Sequence, residues 1–144
     1  MKRLFLIPFA LLLLSCKQPN NPSKDSSLYQ DYDYDDVEER FISWLDLLNF
    51  DGNYYCYIFS PYCRHCENIK QIVISKELAM DTFYFIRFDK DVIPIIKNPE
   101  LTIGQNDISQ IGIIGTPTLM EIDNYSIKVN IAGEKAIVDF LKKI

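Results

Sequence analysis

Two cysteines separated by two residues, Cys63 and Cys66, have the type and spacing for thiol–disulfide chemistry. Residues three apart in the first turn of a helix lie on one face, near enough for a disulfide to close without moving the backbone. A cysteine at a helix start also meets unsatisfied backbone N–H groups and the positive end of the helix dipole, and both favour a thiolate. Cys63 is therefore the predicted nucleophile.

The elements around the cysteine pair are predicted to be a strand that leads directly into a helix. Residues 54–59 form an aromatic and apolar run that ends at Ser60-Pro61, a pattern typical of a strand. Residues 67–74 then carry apolar side chains at helical spacing. The pair is thus expected at a strand-to-helix turn, with Cys63 at the helix N-terminus.

A second motif, Gly-Thr-Pro-Thr, occupies residues 115–118. Together with the cysteine pair it resembles the thioredoxin-like superfamily, over roughly residues 36–144. The resemblance implies that Thr116 and Pro117 form a loop that contains a cis peptide bond, packs against the redox pair and presents backbone to an extended substrate. Tyr62, directly before the pair, is expected on the same substrate-binding surface.

The fold implied by this resemblance is an α/β thioredoxin-like fold, a central mixed β-sheet flanked by helices. Its expected order is β-α-β-α-β-β-α with an extra N-terminal helix. The extra helix is predicted over 37–48, with an apolar face formed by Phe41, Trp44, Leu45 and Leu48. The elements predicted after the redox helix are a buried strand over 82–88, a short helix over 106–111, a hairpin of strands 118–123 and 126–132, and a closing helix over 134–144.

The N-terminus has the pattern of a secretory signal peptide over residues 1–15. A basic start precedes an apolar run over 4–14 that is too short to span a bilayer comfortably. The run ends in Leu-Leu-Ser before Cys16, which resembles the bacterial lipoprotein box and implies lipidation of Cys16. A diacylglyceryl group would hold the chain stably on a membrane. The alternative is a signal anchor with an incidental cysteine.

Residues 16–35 are predicted to be a flexible acidic tether, because they show no apolar period, and the folded domain is placed at 36–144. The net charge is −5, and removal of the signal with Lys2 and Arg3 takes it to −7. Such a charge argues against nucleic acid and against docking on anionic headgroups. One domain of this length is expected to act as a monomer.

The two residues between the cysteines bear on the direction of electron flow. Arg64 and His65 can both donate to the Cys63 thiolate, which stabilises the reduced form and makes the disulfide a stronger oxidant. In the family that the chain resembles, a histidine before the second cysteine is associated with oxidants and isomerases. The chain departs from that family at Tyr57, where many members carry a buried carboxylate that moves protons at the second cysteine.

A zinc site is the main metal alternative, because Cys56, Cys63, His65 and Cys66 offer four possible ligands. Cys56 is expected well down the strand, while the other three lie at its end, so we predict no metal. Cys56 is better explained as a small buried core residue. The redox chemistry requires no cofactor.

The resemblance implies an extracytoplasmic, membrane-anchored thiol:disulfide oxidoreductase. Its partners would be client proteins with cysteines, in a compartment where disulfides persist, and a membrane or soluble redox partner. The oxidant or isomerase direction is preferred. Two alternatives stay open: a reductant fed by a membrane electron carrier, for cytochrome maturation or thiol repair, and a redox-inert thioredoxin-like binding lipoprotein.

Overall fold

The structure is a computed structural model that describes residues 31–144. The predicted signal peptide, Cys16 and the tether up to residue 30 lie outside the described residues. Four strands and two α-helices form the described part. In chain order they are β1 (Asn53–Phe59), α1 (Arg64–Glu77), β2 (Phe83–Arg87), β3 (Thr118–Asp123), β4 (Ser126–Ala132) and α2 (Glu134–Leu141).

The strands form one mixed sheet in the order β2-β1-β3-β4. The central strand β1 pairs in parallel with β2 and antiparallel with β3, and β3 pairs antiparallel with β4. Successive side chains of β1 point to opposite faces. Tyr57 and Phe59 lie in the same core cluster as buried residues of α1 and α2, whereas Cys56 and Ile58 lie in the cluster on the other face. The redox helix therefore packs on the Tyr57 face.

The predicted α-helix over 37–48 is wrong, because two short 3-10 helices, Tyr34–Arg40 and Trp44–Asp46, replace it. Between them the chain extends, and the Ile42 N–H donates to the Phe85 carbonyl at 2.9 Å. This contact supplies a partner to an edge strand whose outer backbone groups have none within the sheet. Trp44 is buried as expected, but the break leaves Leu45 72% exposed.

The compact unit of the described residues includes residues 31–35, which the sequence pattern assigned to the tether. Asp33 and Asp36 form a capping box at the first 3-10 helix, in which each carboxylate accepts a backbone N–H at 2.7 Å. The Tyr34 ring is 7% exposed and stacks on Phe59 with 3.7 Å between ring centroids. Residues assigned to the tether thus contribute to the core.

The strand and hairpin predictions are confirmed. β3 and β4 have the predicted bounds, and Asn124 and Tyr125 both have positive φ, as a two-residue hairpin turn requires.

The predicted helix over 106–111 is a 3-10 turn, Ile108–Gln110. No α-helix lies between β2 and β3, because the Ile96 N–H bonds to the Ile113 carbonyl and the segment pairs with itself. Within residues 31–144 no helix is long and apolar enough to cross a membrane.

Candidate active site

Cys63 is the N-cap residue of α1, one residue before the first helical position. The Cys63 N–H donates to the Ser60 carbonyl at 3.0 Å, which closes a turn at the end of β1. The Cys63 sulfur accepts the Cys66 N–H, with 3.2 Å between Sγ and N. The strand-to-helix turn therefore presents a partly exposed sulfur at the positive end of the helix dipole, as the sequence predicted.

The surroundings of Cys63 and Cys66 shift the pKa values of the two thiols in opposite directions. Burial opposes the Cys63 thiolate, but hydrogen bonds from the Cys66 thiol, the Thr116 side chain and the Cys66 and His65 N–H groups outweigh it and lower the pKa of Cys63 below its ordinary value. Cys66 is fully buried, and burial together with its hydrogen bond to Cys63 raises the pKa of its thiol. Cys63 is thus the thiol with nucleophilic character and Cys66 is held as a neutral thiol.

The proline loop lies against the cysteine pair. The Cys63 thiol donates to the Thr116 carbonyl at 3.4 Å, and the predicted cis peptide bond between Thr116 and Pro117 is confirmed. Two hydrogen bonds hold the loop: Thr118 Oγ1 donates to the Gly115 carbonyl at 2.6 Å, and the Gly133 N–H donates to the Pro117 carbonyl at 2.9 Å.

An open groove runs beside the redox pair. It is lined on one side by the proline loop and on the other by the start of α2, with His65, Thr116, Pro117, Ala132, Gly133 and Glu134 among its walls. Tyr62 stands just before Cys63 and is 88% exposed. Two residues of this groove, His65 and Thr116, also contact the Cys63 sulfur, so the sulfur lies beside a surface that an extended chain could occupy.

The side chains of His65 and Arg64 do not take the roles that the sequence predicted. The His65 ring contacts the Glu134 carboxylate through Nδ1, and Asn68 donates to the same oxygen at 2.9 Å. These two bonds hold the pKa of Glu134 below its usual range. Among the described residues no hydrogen bond joins either side chain to Cys63, and Arg64 is exposed. A competing carboxylate draws the ring away, so His65 acts on Cys63 through its backbone N–H.

We expect His65→Ala to change the pKa of Cys63 by well under one unit, because the substitution keeps the backbone N–H. A ring that donated to the thiolate would contribute about 1.5–3 kcal/mol, equivalent to roughly one to two pKa units. The measurement is thiolate absorbance against pH, with Glu134→Gln as the matched variant that breaks the same contact from the other side. A rise of one unit or more in His65→Ala alone would show that the ring reaches Cys63.

Cys56 is separated from the redox pair by the sheet. It is fully buried in the cluster on the face opposite Cys66, and burial raises the pKa of its thiol. In the described part of the chain no group of three or more His, Cys, Asp or Glu is arranged to hold a metal ion. Cys56 is therefore a core residue, as predicted.

Sequence reasoning missed two residues of the site. Tyr34 packs under the first turn of α1, and its hydroxyl donates to the Cys66 carbonyl at 3.4 Å. The capping-box pattern of Asp33 and Asp36 was the available signal that an ordered element begins there. Glu134 reaches His65 across 69 positions of sequence. No local pattern predicts such a pair.

Comparisons with solved structures identify the fold. A thioredoxin of Schistosoma mansoni is 18% identical, covers 72% of this chain and 93% of its own, and superposes with a TM-score of 0.50. A thioredoxin of Malassezia sympodialis is 14% identical, covers 72% of this chain and 89% of its own, and superposes with a TM-score of 0.49. A thioredoxin of Plasmodium falciparum is 13% identical, covers 72% of this chain and 97% of its own, and superposes with a TM-score of 0.46. No protein-family model and no curated protein matches the chain.

The strand order, the strand-to-helix turn and the likeness to the Schistosoma mansoni structure define a thioredoxin-like fold. Its cysteine pair, Cys63 and Cys66, fits the C-x-x-C motif. A fold of this kind hosts many functions, so the activity of this chain follows from the chemistry of its own site.

Proposed function

We propose that the protein is a thiol:disulfide oxidoreductase that acts through Cys63 and Cys66. The observation that carries the proposal is the unequal environment of the two thiols. Cys63 is partly exposed, caps the helix and has a lowered pKa, while Cys66 is buried three residues later with a raised pKa. An exposed, acidic thiol beside a protected one is the arrangement that exchange through a mixed disulfide requires.

The mixed disulfide forms at Cys63 in either direction of exchange. In reduction, the Cys63 thiolate attacks a client disulfide and Cys66 then attacks the Cys63 sulfur, which releases the client thiolate. In oxidation, a client thiolate attacks the Cys63 sulfur of the enzyme disulfide, Cys66 leaves as a thiolate, and a second client thiolate displaces Cys63. The groove beside Thr116 and Pro117 supports a role for this loop, with Tyr62, in holding client backbone.

The oxidant or isomerase direction is the preferred proposal. Backbone N–H groups that stabilise the Cys63 thiolate stabilise the reduced form, and this makes the disulfide a stronger oxidant. The reductant alternative has its own support, since Glu134 holds the His65 ring and leaves Cys63 without a side-chain cation. A redox-inert binding role fits less well, because an inert pair needs no exposed sulfur with a lowered pKa.

We propose further that the protein is anchored by lipid on Cys16, with its domain on the extracytoplasmic side of a bacterial membrane or in a periplasm. The support for the anchor is the sequence pattern around Cys16. The extracytoplasmic side also suits the proposed chemistry, because it is a compartment in which disulfides persist. Client proteins with cysteines and a membrane or soluble redox partner would meet the domain there, with the domain acting as a monomer. The mass of the mature N-terminus tests the anchor, and an unmodified Cys16 on a processed chain would contradict it.

A model dithiol peptide tests the activity. We expect a catalytic amount of the wild-type protein to accelerate oxidation of the peptide by glutathione disulfide. We expect Cys63→Ala and Cys66→Ala each to abolish multiple turnover. Cys56→Ala is the matched control, because it removes a thiol on the other face of the sheet and should retain turnover. Equal rates in the presence and absence of wild-type protein would contradict the proposal.

A further inference from the structure

The hydroxyl of Tyr57 is a buried polar group that the chemistry described so far does not use. Tyr57 is fully buried, and its hydroxyl oxygen has no hydrogen-bond partner among the described residues. The Tyr34 hydroxyl and the Cys66 thiol lie beside it and favour its protonated form, although neither meets the geometry of a full hydrogen bond with it. A polar group left unpaired in a protein interior destabilises the fold, so its retention needs an explanation.

The hydroxyl is held in place by the packing of its ring. Tyr57 lies stacked against Phe59 at 6.1 Å and edge-on to Phe85 at 6.0 Å, measured between ring centroids. Strand alternation directs the side chain under the first turn of α1, where the second cysteine is. These two ring contacts fix the position of the hydroxyl beside its neighbours Tyr34 and Cys66.

Tyr54 shows what the same strand does with a buried tyrosine that is purely structural. It is 1% exposed, points to the opposite face, and its hydroxyl donates to the Leu47 carbonyl at 2.6 Å. The hydroxyl of Tyr54 therefore has a short hydrogen bond to a backbone carbonyl, whereas the hydroxyl of Tyr57 makes no hydrogen bond of full geometry among the described residues.

We propose that the Tyr57 hydroxyl donates a hydrogen bond to the Cys66 thiolate that forms during exchange, and that Tyr57 is thereby a catalytic residue. The inference rests on the proposed function. In the dithiol form the hydroxyl has only marginal contacts with Tyr34 and Cys66, and the charge that develops on the Cys66 sulfur turns the second contact into a strong hydrogen bond. A bond made only when charge appears lowers the barrier rather than the ground state.

The Cys66 thiol loses its proton, its sulfur attacks the Cys63 sulfur, and the bond between Cys63 and the client breaks. The client leaves with the electron pair as a thiolate and takes up one proton, so no net proton or electron is consumed. Tyr57 keeps its own proton throughout. Burial raises the pKa of Tyr57 far above its ordinary value, which suits a group that donates and does not ionise.

Other groups also face Cys66, and they limit the loss of rate that removal of the Tyr57 hydroxyl can cause. Cys63 and Thr116 contact its thiol, the Ser60 backbone is in hydrogen-bonding range, and Tyr34 donates to its carbonyl. Glu67 and Cys63 act electrostatically on Tyr34. All of these remain when the Tyr57 hydroxyl is removed. We therefore expect a partial loss of rate and not a complete one.

Reaction of the reduced full-length protein with an aromatic disulfide, 5,5′-dithiobis(2-nitrobenzoate), separates the two steps. Attack by Cys63 releases one coloured thiolate and attack by Cys66 on the adduct releases the second. We expect Tyr57→Phe to slow the second phase about tenfold near neutral pH and to move its pH midpoint up by about one unit, the shift equivalent to a tenfold change in an equilibrium constant. The first phase should keep its rate.

Tyr54→Phe is the matched control, and it should lower the unfolding free energy while leaving both phases unchanged. A second measurement does not depend on turnover: in a Cys63→Ala background, Tyr57→Phe should raise the pKa of Cys66 in a thiolate absorbance titration. An unchanged midpoint of the second phase and an unchanged pKa of Cys66 would overturn the role of Tyr57. Absence of a second phase in the wild type would instead contradict the proposed function.

Discussion

Replacement of Cys66 by alanine is expected to leave the protein covalently joined to its clients through Cys63. The variant keeps the backbone N–H of residue 66, which donates to the Cys63 sulfur at 3.2 Å, so the nucleophile stays activated. The thiol that would cleave the mixed disulfide is gone. On non-reducing gels we expect adducts that reductant removes, in large excess over those of the wild type.

Two matched variants make the trapping result specific. Cys63→Ala should trap no clients, because the remaining thiols of the folded domain, Cys56 and Cys66, are fully buried and have raised pKa values. Cys56→Ala should still exchange and resolve, with a loss of stability on the order of 1 kcal/mol from its place in the core. Equal trapping by Cys63→Ala and Cys66→Ala would contradict the assignment of Cys63 as the nucleophile.

Replacement of Tyr34 by alanine is expected to lower the unfolding free energy by about 3–5 kcal/mol, the range for truncating a buried aromatic side chain. The ring is 7% exposed, stacks on Phe59 and meets Phe85 edge-on at 6.3 Å between centroids. The reason is the loss of this packing directly beneath the redox turn. Urea denaturation followed by the fluorescence of Trp44 measures the change.

Leu45→Ala is the control for this second prediction. The sequence pattern placed Leu45 on the apolar face of a helix, but its side chain is 72% exposed, so the substitution should change the unfolding free energy by about 0.5 kcal/mol or less. Comparable losses in the Tyr34 and Leu45 variants would contradict the packing of the N-terminal segment.

The sheet could be predicted from sequence because its signals are local. The aromatic run of β1 and the alternation of β3 and β4 around Asn124 and Tyr125 each specify a strand within ten residues. The cysteine pair and the cis proline bond were also predicted, because each belongs to a short motif that resembles one of the thioredoxin-like superfamily.

The parts that sequence did not predict depend on partners far along the chain. The helix predicted over 37–48 gives way because Ile42 finds a backbone partner on β2, a contact that helical periodicity does not reveal. The His65 ring turns to Glu134 for the same kind of reason. Tyr34 was masked by its acidic neighbours, which read as a solvated tether although Asp33 and Asp36 cap a helical turn.

A redox titration in glutathione buffers, read out by the mass of alkylated protein, tests the central claim most directly. We predict one two-electron transition that joins Cys63 to Cys66, absent in Cys63→Ala and Cys66→Ala and retained in Cys56→Ala. A midpoint less negative than about −270 mV, a typical thioredoxin value, would favour the oxidant direction. A pair that forms no disulfide in any buffer, or one that no buffer reduces, would contradict the account.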